Sequence, residues 1–202
     1  LETLSVPPRL RVGESIDGFA VLELLHESRI TLLYKVEDRA SQKFGVLKTL
    51  TPLAGTDPAE RAALAHEEWL ARRVVARFFP QHVAVPAQRR TYLYYVMSWH
   101  EGATLQQKLN ADAHFSVPEA LQHAIKLVRG VGALHRRSIL HRDIKPANVH
   151  VGADGELRIL DLGVALTTTE RADVARANAG TPSYIAPEQY AGASPSEQMD
   201  LY

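Results

Sequence analysis

The sequence predicts an α+β fold in two parts, a small five-stranded antiparallel sheet with one main helix followed by a mostly helical second part. Two observations carry it. Up to about residue 98, short strand-like runs separated by polar turns surround one capped helical stretch; past SWHEGATL the apolar spacing changes to a helical period. The 202 residues are enough for one large domain or two small ones, and we divide them into residues 1–15, 16–98 and 99–202.

Residues 1–15 carry Pro7-Pro8 and no amphipathic period, which predicts an arm or linker. Three strands follow at 19–25, 31–37 and 44–49, separated by the polar turns HESRI and DRASQ. Asp57-Pro58 with Glu60 opens a helix whose Leu64, Glu67, Leu70, Ala71 and Val74 share one face. Two more strands, 83–85 and 92–97, complete the sheet. In the second part Thr104 and Gln107 form a capping box for a short helix, and Ser116 with Glu119 caps a longer one reaching about His135. Leu121, Ile125, Val128 and Leu134 form its apolar stripe. Two short strands, 149–151 and 157–160, flank a turn at Asp154-Gly155, and the rest reads as a long functional loop.

Composition narrows the function. Lys plus Arg (23) equals Asp plus Glu (23), so nothing favours a polyanion, and nucleic acid is not an expected partner. No apolar run approaches the ~20 residues that span a bilayer. The absence of cysteine excludes disulfides, thiolate metal sites and a cysteine nucleophile. Leu1 opens the chain in place of Met and Tyr202 closes it without a polar tail, so the chain reads as cut from something longer at both ends.

The chemistry concentrates in HRDIKPAN (141–148) and DLG (161–163). Asp143, Lys145, Asn148 and Asp161 sit in loops beside two short apolar strands, where their side chains can converge. Two carboxylates, an amide and an ammonium suit a hard divalent cation and phosphate oxygens, and Mg²⁺ favours such a set because it takes few protein ligands beside substrate phosphates.

These motifs resemble those of the eukaryotic-type serine/threonine protein kinases over roughly residues 16–202. HRDIKPAN is similar to the catalytic loop, DLG to the metal-binding motif, and GTPSYIAPE (180–188) to the substrate-docking segment. The resemblance implies a two-lobed kinase fold with an incomplete large lobe, ATP and Mg²⁺ as cofactors, a protein Ser or Thr hydroxyl as acceptor, and a cytoplasmic location. It implies that Asp143 takes the hydroxyl proton, that Lys145 steadies the phosphoryl group, that Asn148 and Asp161 hold the metal, and that Thr181 marks Ser/Thr specificity. Lys48 would fix the α- and β-phosphates, clamped by a helix glutamate. Glu67, with Leu70, Ala71 and Val74 on its face, is preferred over Glu68 for that clamp. Leu25, Leu33, Val46, Met97, Ser98, His100 and His150 would surround the nucleotide. A narrower resemblance, of EEWLARR and YLYYVMSWHEGATL to the kinase half of bacterial phosphatase-kinase fusions, implies a phosphatase domain upstream.

Departures are as informative. His26, Ser28 and Thr31 stand where the family's phosphate loop has glycines, which predicts looser nucleotide cover, with a pseudokinase scaffold as the alternative function. Against the family pattern, Val46 and His150 imply a narrower and more polar base site, with a satisfied core histidine as the alternative reading of His150. ERADVARANAG (170–180) lacks Ser, Thr and Tyr, so Asp173 would supply a permanent charge to groups such as Arg142, with Thr167, Thr168 and Thr169 as the remaining phosphosites.

Overall fold

In the computed structural model, residues 4–167 and 180–202 are described. Thr168, Thr169 and Asp173 lie outside them. The chain divides into two compact units, one of residues 1–73 with 81–99, the other of 74–80 with 100–202.

Unit 1 is built on an antiparallel sheet of β1 (Ser15–Ile16), β2 (Phe19–Glu27), β3 (Thr31–Asp38), β4 (Lys43–Leu50), β5 (His82–Val83) and β6 (Tyr94–Ser98), ordered β1-β2-β3-β4-β6-β5. The expected five strands are β2 to β6, and the two-residue β1 adds a sixth. Strict alternation sorts the side chains. Leu32, Tyr34, Val36, Leu47, Tyr94 and Val96 enter one buried cluster, which includes Leu10, Ile16, Phe19 and Val21. The opposite parity sends Leu50 and Tyr95 into a second cluster with Leu93 and with Leu64 of the helix α1 (Pro58–Arg73). Asp57 caps that helix by accepting the Ala59 N–H at 2.8 Å, as its Asp-Pro start predicts.

The segment read as an arm packs on this unit. Ser5 accepts the Leu93 N–H at 2.8 Å, and Leu10 is buried.

Unit 2 contains β7 (Gly102–Thr104), α2 (Leu105–Asn110), α3 (Val117–His135), β8 (Ile139–Leu140), β9 (Val149–Gly152), β10 (Leu157–Ile159), β11 (Leu166–Thr167) and α4 (Pro187–Tyr190). Its strands form the small sheets β10-β9-β7 and β11-β8. Both expected capping boxes are present, at Thr104/Gln107 and Ser116/Glu119. One expectation fails in part. Leu134 of the predicted stripe is buried, together with Gly130, Val131 and Ala133, but Leu121, Ile125 and Val128 are exposed. Full burial among the described residues of α3 comes in its last turns, where Gly130 lies against Ile159 of β10 and Phe78. The stretch expected as one long loop carries β11, α4 and two 3-10 turns, Pro182–Tyr184 and Glu197–Asp200.

Candidate active site

The chemical groups fall into one set in each unit. In unit 1, register builds the set. Lys48 pairs with Leu33 on β3 and Tyr95 on β6, and Val46 pairs with Met97. Side chains two apart on a strand, or directly opposite across strands, share a face. Leu33, Val46, Lys48, Tyr95 and Met97 therefore lie on the α1 side of the sheet. Leu25 falls at a register irregularity of β2, and Ser98 ends β6, where its N–H donates to the Gln81 carbonyl at 2.8 Å. Lys48 Nζ donates to Glu67 Oε1 at 2.7 Å, and the Tyr95 hydroxyl donates to the same oxygen at 2.9 Å. Lys48 and Glu67 are 5% and 3% exposed, so deleting either partner would strand a buried charge at a cost of about 3–5 kcal/mol.

The β2–β3 turn explains what replaces the missing glycines. Ser28 Oγ accepts the N–H groups of Ile30 at 3.1 Å and Thr31 at 2.9 Å, and the Ser28 N–H donates to the Thr31 carbonyl at 2.9 Å. The amides that a glycine loop offers to phosphate are here consumed within the turn.

In unit 2 the set is tied together by hydrogen bonds. Asp143 Oδ1 accepts the Thr181 N–H at 2.9 Å and hydroxyl at 2.8 Å. Lys145 Nζ lies 2.7 Å from Asp143 Oδ2 and donates to Thr181 Oγ1 at 2.6 Å. Asn148 Nδ2 donates to the Asp143 carbonyl at 2.9 Å and to Oδ2 at 3.0 Å. Glycine is required at 180: its φ is 113°, and a Cβ there would come within 2.7 Å of the Arg142 carbonyl oxygen. Asp161 has φ 61° and accepts the Gly163 N–H at 3.0 Å.

Two residues that the sequence reading passed over hold these groups in place. Asp200 accepts the backbone N–H of His141 at 2.8 Å and of Arg142 at 2.7 Å, and it lies 2.9 Å from His135 Nε2. Arg142 sits at φ 68°, a left-handed conformation unfavourable for a long side chain, which the Asp200 carboxylate stabilises. The second is Glu68, as buried as Glu67 and held at a pKa of about 2; burial alone would raise it, but hydrogen bonding with His82, the charge of Arg90 and hydrogen bonds from Arg72 and Arg90 outweigh burial. Glu68 accepts both its 2.9 Å bonds from Arg90. The only available signal was its place beside Glu67 on a helix facing a sheet.

His100 and His150 belong to unit 2. His150 pairs with Arg158 and Thr104 across β9, and its imidazole is held below the ordinary histidine range by burial first and by the Arg158 and His100 charges second. Burial, then Arg158, also lowers His100, against the opposing pull of Asp154. Both rings therefore favour the neutral form. Thr167 pairs with Ile139 in β11.

The donor set fits a small hard cation. Because Asn148 uses its amide nitrogen as a donor, its oxygen is left as the acceptor, and with the Asp161 carboxylate it would supply the sparse oxygen ligation that Mg²⁺ takes beside phosphates.

The protein kinase domain model matches residues 30–202. The chain belongs to the protein kinase domain family. It is 30% identical over 183 residues to a probable serine/threonine-protein kinase of Streptomyces coelicolor, covering 84% of this chain and 26% of that protein. It is 31% identical over 111 residues to the serine/threonine-protein kinase PknB of Mycobacterium leprae, covering 54% and 18%. With the yeast serine/threonine-protein kinase YPK2/YKR2 it is 24% identical over 201 residues, covering 99% and 29%. The chain thus spans less than a third of the length of these three relatives. In this kinase domain His26 belongs to β2, where it pairs with Leu33, Thr31 opens β3, and Ser28 closes the turn between them. Among the described residues no helix is long and apolar enough to cross a membrane.

Proposed function

We propose that this chain is the catalytic part of a serine/threonine protein kinase that moves the γ-phosphoryl group of ATP to a protein hydroxyl. The observation that carries the proposal is the bonding of Asp143, Lys145, Asn148 and Thr181 around one carboxylate. In the reaction a hydroxyl oxygen forms a bond to the γ-phosphorus, the bond from that phosphorus to the bridging oxygen of ADP breaks, and Asp143 receives the hydroxyl proton. Lys145 offsets charge on the transferring group, and Lys48, oriented by Glu67, meets the α- and β-phosphates. Mg²⁺, held by Asn148 and Asp161, would neutralise phosphate charge. Leu25, Leu33, Val46, Met97, Ser98, His100 and His150 are assigned to the nucleotide. The protein is assigned to the cytoplasm, and a phosphatase domain upstream is assigned from the EEWLARR and YLYYVMSWHEGATL segments; phosphate release by the complete protein tests the latter.

The closed Ser28 turn favours a second reading, a nucleotide-binding scaffold without turnover. Incubating the complete protein with labelled ATP and a generic basic protein separates the two. Label incorporation that disappears in Asp143→Asn supports the kinase. Nucleotide binding with incorporation no higher than in that variant supports the scaffold.

A further inference from the structure

Glu67 and Glu68 are consecutive residues of α1, both buried, and held by different neighbours. Glu67 is bonded to Lys48 of β4 and Tyr95 of β6. Both oxygens of Glu68 accept from the single Nη1 of Arg90 at 2.9 Å, and Oε1 also accepts from Arg72 at 2.5 Å and lies 3.3 Å from His82 Nε2 on β5. Arg90 is 8% exposed, donates from Nε to the Tyr92 carbonyl at 3.3 Å, and lies with its guanidinium 5.2 Å from the Tyr94 ring centre. Arg90 is thus fixed to the chain entering β6, the strand that also carries Tyr95.

Consecutive helical residues diverge by about 100° around the axis. A single rotational setting of α1 therefore serves both carboxylates. Any roll that withdraws Glu67 from Lys48 also pulls Glu68 off Arg90 Nη1, stranding two buried charges where one would otherwise be lost. Both attachments come from within unit 1.

We infer that Glu68 and Arg90 are a positioning pair that fixes the rotation of α1 and so keeps Glu67 on Lys48. The contacts that seat the helix in this way come from the chain itself. What Lys48 then does rests on the kinase reading; the seating does not.

The test reads Lys48 directly. A buried amine bonded to a carboxylate acylates slowly, so acetic anhydride treatment of the complete protein, followed by peptide mass spectrometry, reports the pair. Lys43, exposed on the same strand, is the internal standard. In the double variant Glu68→Gln, Arg90→Met, which removes the buried charges together, the Lys48/Lys43 acetylation ratio is expected to rise roughly tenfold, to the level of a Glu67→Gln chain. Arg90→Lys keeps the charge but loses the Nε bond to Tyr92 and is expected to give an intermediate ratio; it is also the variant read if the double variant does not fold. A ratio equal to wild type in the folded variants, or no rise in Glu67→Gln, overturns the inference. Acetylation needs no turnover, so a chain that transfers no phosphate would sink the kinase reading and leave this result legible.

Discussion

Thr181 donates its backbone N–H and its hydroxyl to the same oxygen of Asp143, at 2.9 and 2.8 Å. Its hydroxyl oxygen also accepts from Lys145 at 2.6 Å, so one hydroxyl links the carboxylate to the ammonium. Thr181→Ser keeps that link and Thr181→Ala breaks it. We expect the Ala variant to lower phosphoryl transfer about tenfold or more, because a hydrogen bond to a charged group is lost, and the Ser variant to stay within about twofold. Initial rates at saturating ATP check this; equal rates in both variants would remove Thr181 from the site.

Lys48→Met and Asp143→Asn remove charge or positioning from different steps of the proposed reaction. Each is expected to lower kcat/KM by about two orders of magnitude or more. Wild-type activity in both would leave the kinase assignment without support.

Ser28 occupies the Ile30 and Thr31 amides at 3.1 and 2.9 Å. Glycine at 26, 28 and 31 together frees those donors, and we expect ATP to bind about tenfold tighter, the worth of one charge-assisted bond. Calorimetric titration of both proteins decides it. An unchanged dissociation constant means that the turn does not limit binding.

The pH dependence of stability tests His150. Its folded value is depressed, chiefly by burial and then by Arg158 and His100. As pH falls below the unfolded value of about 6.5, the unfolded chain takes the proton first, so the stabilisation present above that pH is lost on acidification. We expect His150→Gln to lose less stability than wild type between about pH 7.5 and 5.5, read as urea midpoints. His100, also depressed, stays in both proteins, so the variant keeps part of the acid-side loss. Identical losses would mean that the His150 imidazole is as easily protonated folded as unfolded.

Local rules made the periodic elements legible. The alternation of β3, both capping boxes and the Asp-Pro start of α1 are signals spread over a few residues, and the structure carries each one. Helical period likewise turned Glu67 toward the sheet. It undervalued Glu68, because a carboxylate flanked by arginine looks solvated until Arg90, 22 residues away, is folded beside it. Asp200 was invisible for the same reason at longer range. The α3 stripe misled in the other direction: Leu121, Ile125 and Val128 have the spacing of a buried face, but spacing records only that an apolar face exists. Glycine-free residues 26–31 were read as a loss, whereas the Ser28 hydroxyl makes a different, internally satisfied turn.

The Asp200 carboxylate reaches Arg142 across 58 residues of sequence, and that distance becomes a delay during synthesis. At about 5–20 residues per second, roughly 3–12 s pass between the translation of Arg142 and that of Asp200. Throughout that interval the nascent HRD segment has no carboxylate to hold Arg142 left-handed, although every residue of unit 1 has already been made. A ribosome stalled just short of residue 200 would carry a complete β-sheet unit and a catalytic loop without its anchor. The order of translation thereby completes the Lys48–Glu67 pair before the segment around Asp143 gains its anchor.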